Sequence, residues 1–161
     1  MNRFLLILAS LALAACTAET PPAEPEPAVA DEAPPAEAAP AMPAAVASPE
    51  GARVFFVSPA DGDTVSSPVT VEFGLEGMSV VKAGDMTENS GHHHLIINAP
   101  LPDMGLPVPA NENYVHFGDG SSSTELTLEP GQHTLQLLLG DYLHRPHDPA
   151  VYSDVITITV E

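Results

Sequence analysis

Val155-Ile156-Thr157-Ile158-Thr159-Val160 decides how the folded part of this chain is read. Ile156, Ile158 and Val160 alternate with Thr157 and Thr159, and a period of two places them on opposite faces of a strand. The same pattern recurs upstream. In His133–Leu139, Leu135, Leu137 and Leu139 share one face. In Val69–Phe73, Val69, Val71 and Phe73 oppose Thr70 and Glu72. Arg53–Val57, His93–Ile97, Asn113–Phe117 and Thr124–Leu128 complete the set. Turn residues separate the runs, among them Ser58-Pro59-Ala60-Asp61-Gly62-Asp63 and Glu129-Pro130-Gly131-Gln132. No window of a dozen residues shows a 3.6 period after residue 13. Seven short strands within residues 52–161 predict an all-β, antiparallel β-sandwich, with a small open barrel as the alternative.

Ser58-Pro59-x-x-Gly62-x-x-Val65 resembles the opening strands of bacterial immunoglobulin-like domains. The resemblance implies an immunoglobulin-like form of the sandwich. The domain has no tryptophan and no disulfide pair, so an antibody-type domain is excluded.

The N-terminus has another character. Arg3 is followed by ten nearly all apolar residues, Phe4–Leu13, and then by Ala14-Ala15-Cys16. A positive start, a short apolar run and small residues form a secretory signal. A transmembrane helix needs about 20 apolar residues, so this run is too short to be one. Leu13-Ala14-Ala15-Cys16 resembles the lipobox of bacterial lipoproteins. The resemblance implies cleavage before Cys16 and lipid on its thiol. Residues 1–15 are therefore expected to be removed, and Cys16 is the expected lipidation site. Thr17 stands where many inner-membrane lipoproteins carry Asp, so the resemblance favours the outer membrane, facing the periplasm.

Residues 16–51 read as a linker rich in Ala, Pro and Glu. Thr17–Pro49 holds nine of the eighteen prolines and no aromatic residue. Such a composition cannot bury enough apolar surface to offset its ordering entropy. Extended as polyproline II, these residues reach on the order of 100 Å, enough to hold a domain off the membrane. The chain carries 4 Lys+Arg against 22 Asp+Glu, a formal net charge of −18. Nucleic acid and anionic lipid surfaces are repelled by that charge. Attachment to the membrane therefore falls to the lipid, and no nucleic-acid partner is expected.

All seven histidines lie between His92 and His147. In Gly91-His92-His93-His94-Leu95-Ile96-Ile97, alternation puts His92 and His94 on one face and His93 on the other. Two imidazoles at i and i+2 can reach one ion, and neutral imidazole suits copper and zinc. A zinc site needs three or four ligands. His116, in Tyr114-Val115-His116-Phe117, and His144 and His147, in His144-Arg145-Pro146-His147, are the candidates to complete it. His133 shares a face with Leu135 and Leu137 and is expected to bond backbone at a strand end. His93 is expected to be structural.

Four motifs in order resemble one family: Gly91-His-His-His-Leu-Ile-Ile-Asn98, Glu112-Asn-Tyr-Val-His-Phe-Gly118, Pro130-Gly-Gln-His-Thr-Leu-Gln-Leu137 and His144-Arg-Pro-His-Asp-Pro149. They look like the domain of unknown function DUF4399, over roughly Val54 to Val160. The resemblance implies a small exported β domain, often on a lipoprotein, and no established activity.

Other chemistries lack their residues. No Gly-x-Ser-x-Gly elbow is present. Gly118-Asp119-Gly120-Ser121 lacks the Gly-Lys-Ser of a phosphate loop and reads as a hairpin turn. Asp61-Gly62-Asp63 lacks the remaining ligand spacing of an EF-hand. A copper-zinc dismutase needs a disulfide that a chain with one cysteine cannot form internally. The expectation is a non-enzymatic envelope lipoprotein that binds copper, zinc or a small ligand through His92, His94, His116, His144 and His147. The alternative is a structural or protein-interaction module, with an envelope protein as partner, whose histidines brace loops by hydrogen bonds.

Overall fold

A computed structural model of the chain describes residues 43–161. The signal segment, Cys16 and most of the linker lie outside the described residues. Nine strands are present among the described residues: β1 (Arg53–Ser58), β2 (Thr64–Val65), β3 (Val69–Glu76), β4 (Ser79–Val80), β5 (Ser90–Ile97), β6 (Tyr114–His116), β7 (Ser123–Leu126), β8 (Gly131–Gly140) and β9 (Ile156–Val160). One sheet runs β1-β3-β7 and the other β2-β9-β8-β5-β4, with β6 also paired to β5. The two sheets pack as a β-sandwich, the fold class expected from the alternating runs.

The alternation works as chain physics requires. Val69, Val71 and Phe73 of β3 are buried while Thr70 and Glu72 are exposed. Ile156, Ile158 and Val160 of β9 point into the same core, where Val71, Leu95, Leu135, Leu137, Leu139 and Ile158 are fully buried. Each such side chain contributes about 1.5–3 kcal/mol relative to exposure. With no disulfide available to the domain, this core holds the sheets together.

The structure departs from the sequence reading in three places. β2 and β4 are two-residue strands that pair in parallel, with β9 and β5 respectively, whereas the other ladders are antiparallel. The segment Gly118–Ser122 is not a hairpin turn. It carries the chain from β6 in one sheet to β7 in the other, and Asp119 braces it by accepting bonds from the Ser121 amide and hydroxyl. Residues 43–51, read above as linker, are hydrogen-bonded to the domain: Ala47 bridges Asp148, and the Ser48 hydroxyl donates to the Pro149 carbonyl at 2.7 Å. Asp61 and Asp63 serve turns. Asp61 Oδ1 accepts from the Thr157 amide at 2.7 Å, and Asp63 Oδ2 from the Ala60 amide at 2.8 Å.

β5 positions the histidines. All eight of its residues are buried, so both of its faces are covered. The inner face packs Leu95 and Ile97 into the main core. The outer face packs Ile96 against Leu138 and Val108, with Ala99, Leu101, Met104 and Tyr114 around them. The segment after β5 thus folds back over its outer face, and Tyr114 fixes the return by donating its hydroxyl to the Pro100 carbonyl at 2.8 Å.

Candidate metal centre

Pairing between strands assembles the site. His94 of β5 stands opposite His116 of β6, and His92 opposite Gly140 of β8. Because β5 alternates, His92 and His94 emerge together on the outer face. A fourth ring comes from the loop after β8. His144 adopts a left-handed backbone, φ 63°, and its amide donates to the Asp141 carbonyl at 2.9 Å. The Val108 amide donates to the His144 carbonyl at 2.7 Å, tying this loop to the segment that covers β5.

Four imidazoles therefore converge. Ring centroids lie 4.8 Å apart for His92–His94, 4.9 Å for His92–His116, 5.0 Å for His92–His144 and 4.7 Å for His116–His144. His94 is 5.1 Å from His116 and 6.3 Å from His144. One ring nitrogen from each of His92, His94 and His116 lies within 4.8 Å of the other two. Ligands about 2.0–2.1 Å from a tetrahedral ion stand about 3.4 Å apart. Rotation of the rings by on the order of 1 Å closes that difference.

Two glycines make room. A Cβ at Gly140 would lie 2.5 Å from His94 Cε1 and 3.5 Å from His92 Nε2. A Cβ at Gly118 would lie 2.8 Å from His116 Nε2. Neither position tolerates a side chain while the rings stay where they are.

A family model described as "Domain of unknown function (DUF4399)" matches residues 71–161, more than half of the chain. The chain belongs to the DUF4399 family. No curated protein matches it, and no solved structure does. All four converging histidines lie within the DUF4399 match.

The electrostatics of the DUF4399 site suit a cation with neutral nitrogen ligands. His92 and His94 are 0 % and 1 % exposed. Burial pushes His94 down to about 3, helped by the neighbouring imidazoles. It pushes His92 down to about 4, with His116 and His144 adding to the effect and Asp141 opposing it. His116 is lowered by burial and by His144. The rings of His92, His94 and His116 are therefore neutral at neutral pH, the form that binds metals. Nδ1 and Nε2 of His92, Nδ1 of His94 and Nε2 of His116 are buried without a hydrogen-bond partner. A buried polar atom left in that state costs about 1–3 kcal/mol. A neutral imidazole has one lone pair, so a metal ion would take one nitrogen each from His92, His94 and His116 and leave the second nitrogen of His92 carrying its proton.

The remaining histidines are placed elsewhere. His147 Nε2 donates to the Ser90 carbonyl at 3.2 Å. Its ring lies on the Gly91 side of β5, where a Cβ would meet His147 Cε1 at 3.0 Å. Gly91 and His92 point to opposite faces, so the sheet separates His147 from the cluster. His93 points inward and packs on Phe73, ring centroids 5.3 Å apart. His133 behaves as a strand-end residue: Nε2 donates to the Glu129 carbonyl at 2.8 Å, and Nδ1 accepts from the Asn98 amide at 2.9 Å. Hydrogen-bonded bracing is thus the work of His133 and His147. Asp141 and the two glycines were not singled out from the sequence. The signals for them were the adjacency of Gly140-Asp141 to the His144 motif and the place of Gly118 two residues after His116.

Proposed function

We propose that this DUF4399 domain binds a transition metal ion, copper or zinc, through His92, His94 and His116, with His144 as the fourth ligand, and performs no catalysis. The observation that carries the reading is the convergence of buried His92 and His94 with half-buried His116, rings that hold four buried nitrogens without a hydrogen-bond partner. We further propose that Cys16 carries lipid and tethers the domain to the outer membrane, on the periplasmic side.

Titration of the chelator-treated full chain with copper(II) and with zinc(II), followed by calorimetry, tests the binding. Binding of one ion per chain at micromolar affinity or tighter is expected. The His92→Ala/His94→Ala double variant should lose it. Binding weaker than micromolar to both ions, or unaltered affinity in the double variant, refutes the metal reading. A double variant that melts lower by the same amount with and without metal would instead identify a bracing role.

A further inference from the structure

The loop that carries His144 is fastened from two sides. Within it, the Asp141 amide donates to the Arg145 carbonyl at 2.7 Å. Asp141 Oδ1 accepts from the Leu143 amide at 2.8 Å and the Arg145 amide at 2.9 Å. The side chains of Asp141 and Arg145 pair at 3.6 Å and are 1 % and 4 % exposed. His144 is thus held between the two members of a buried ion pair.

The second side is the chain that enters the domain. The Arg145 guanidinium donates through Nη1 to the Pro43 carbonyl, and through Nη2 to the Ala44 carbonyl at 2.8 Å. Three residues on, the Asp148 amide donates to the Val46 carbonyl at 2.9 Å, and the Ser48 amide to the Asp148 carbonyl at 3.2 Å. Residues 43–48 therefore run along the histidine loop and supply carbonyl partners to its buried cation. A buried guanidinium that loses such partners is left with unsatisfied donors, at a cost above that of a neutral group.

We propose that residues 43–48 clamp the fourth ligand: Arg145 is a positioning residue for His144, and docking of this segment is coupled to metal occupancy of the site. The proposal rests on the metal-binding reading above. If the clamp sets where His144 stands, the bound ion must in turn favour the docked segment, because coupling between two binding events is reciprocal. The end of the tether and the metal centre then report on each other. Copper or zinc at the cluster makes residues 43–48 harder to detach, and detaching them loosens the ion.

The test uses the full chain with copper(II) or zinc(II) as the probe and two readouts. One is affinity, by chelator competition. The other is the rate at which an elastase-type protease, which prefers small apolar residues, cuts within residues 41–48. Metal should slow cleavage of the wild-type chain several-fold. Arg145→Met should weaken binding 10–100-fold, as loss of supporting partners around a metal site does. It should also abolish the protection. His144→Ala should lose the protection while retaining weaker binding through the other three rings. Because Arg145→Met strands a buried carboxylate, Asp141→Asn/Arg145→Met serves beside it: the amide oxygen keeps the loop's acceptor, and the same two losses are expected. Wild-type binding with metal-independent cleavage, or with affinity within twofold in both Arg145 variants, overturns the clamp alone. Failure of the wild-type chain to bind either ion overturns the clamp and the metal reading together.

Discussion

His94 stays neutral until the solution is strongly acidic, and His92 and His93 behave alike. Their folded values stand near 3, 4 and 4. In the unfolded chain an imidazole titrates near its ordinary value, about 6.5. Between those limits the unfolded state binds more protons, so stability falls as pH falls. The contribution is whole above about pH 6.5 and is lost progressively as pH drops through the folded values. The metal-free protein should therefore melt at steadily lower temperature as pH falls from about 6.5 to 4.5. His93→Leu, which removes one buried titrating ring from beside Phe73, should flatten that slope. A melting temperature independent of pH over this interval would contradict the burial of these rings. At this scale the sequence was partly legible. Alternation alone separated His92 and His94 from His93. The same rule could not place His147, because His144 and His147 lie on a loop whose course is set by the Asp141 turn and by the Gly140–Pro146 bridge. The space-making roles of Gly118 and Gly140 were also out of reach, since they exist only once the rings are in place.

At the scale of elements, the strands of three residues or more were readable and the two-residue ones were not. β3 and β9 alternate over five residues, which is enough to show a period of two. β2 and β4 span two residues each and owe their existence to the ladders beside them. The double burial of β5 is likewise a tertiary effect. Its run of histidines followed by Leu95-Ile96-Ile97 resembles a strand end facing water, yet the segment after it covers the outer face. Leu138, fully buried against Ile96 and Val108, is the centre of that cover. Leu138→Ala should lower stability by about 2–5 kcal/mol, read by urea denaturation. A loss below about 1 kcal/mol would mean that the outer layer adds little and that the histidine site is held by the main core alone.

Across the whole molecule, the proposed lipid anchor, the linker and the domain would divide the work by physical means. A formal net charge of −18 keeps the chain off anionic surfaces, so electrostatics alone would not retain it at a membrane. The same charge draws cations toward the domain, although salt confines the effect to about 8 Å at physiological strength. Cys16, outside the described residues, is the proposed attachment. Labelled palmitate should be incorporated into the wild-type chain and lost in Cys16→Ser, and the variant should leave the membrane fraction. Retention of the label would place the lipid elsewhere. The junction of tether and domain was the part least legible in advance. The composition of residues 43–51 continues that of the linker, and Arg145, Asp148 and Pro149, about a hundred positions later, supply its partners.

If the cluster binds metal as proposed, the four unpartnered ring nitrogens of His92, His94 and His116 make the metal-free fold the less durable one. On the proposed metal reading, an ion that binds only the folded chain adds about 4 kcal/mol of stability at a thousandfold excess over its dissociation constant. Stability changes of that size alter how often a protein opens and how quickly quality-control proteases clear it. The lifetime of each copy would then follow the local supply of the ion. The amount of this protein would become a record of recent metal availability, kept by turnover rather than by transcription.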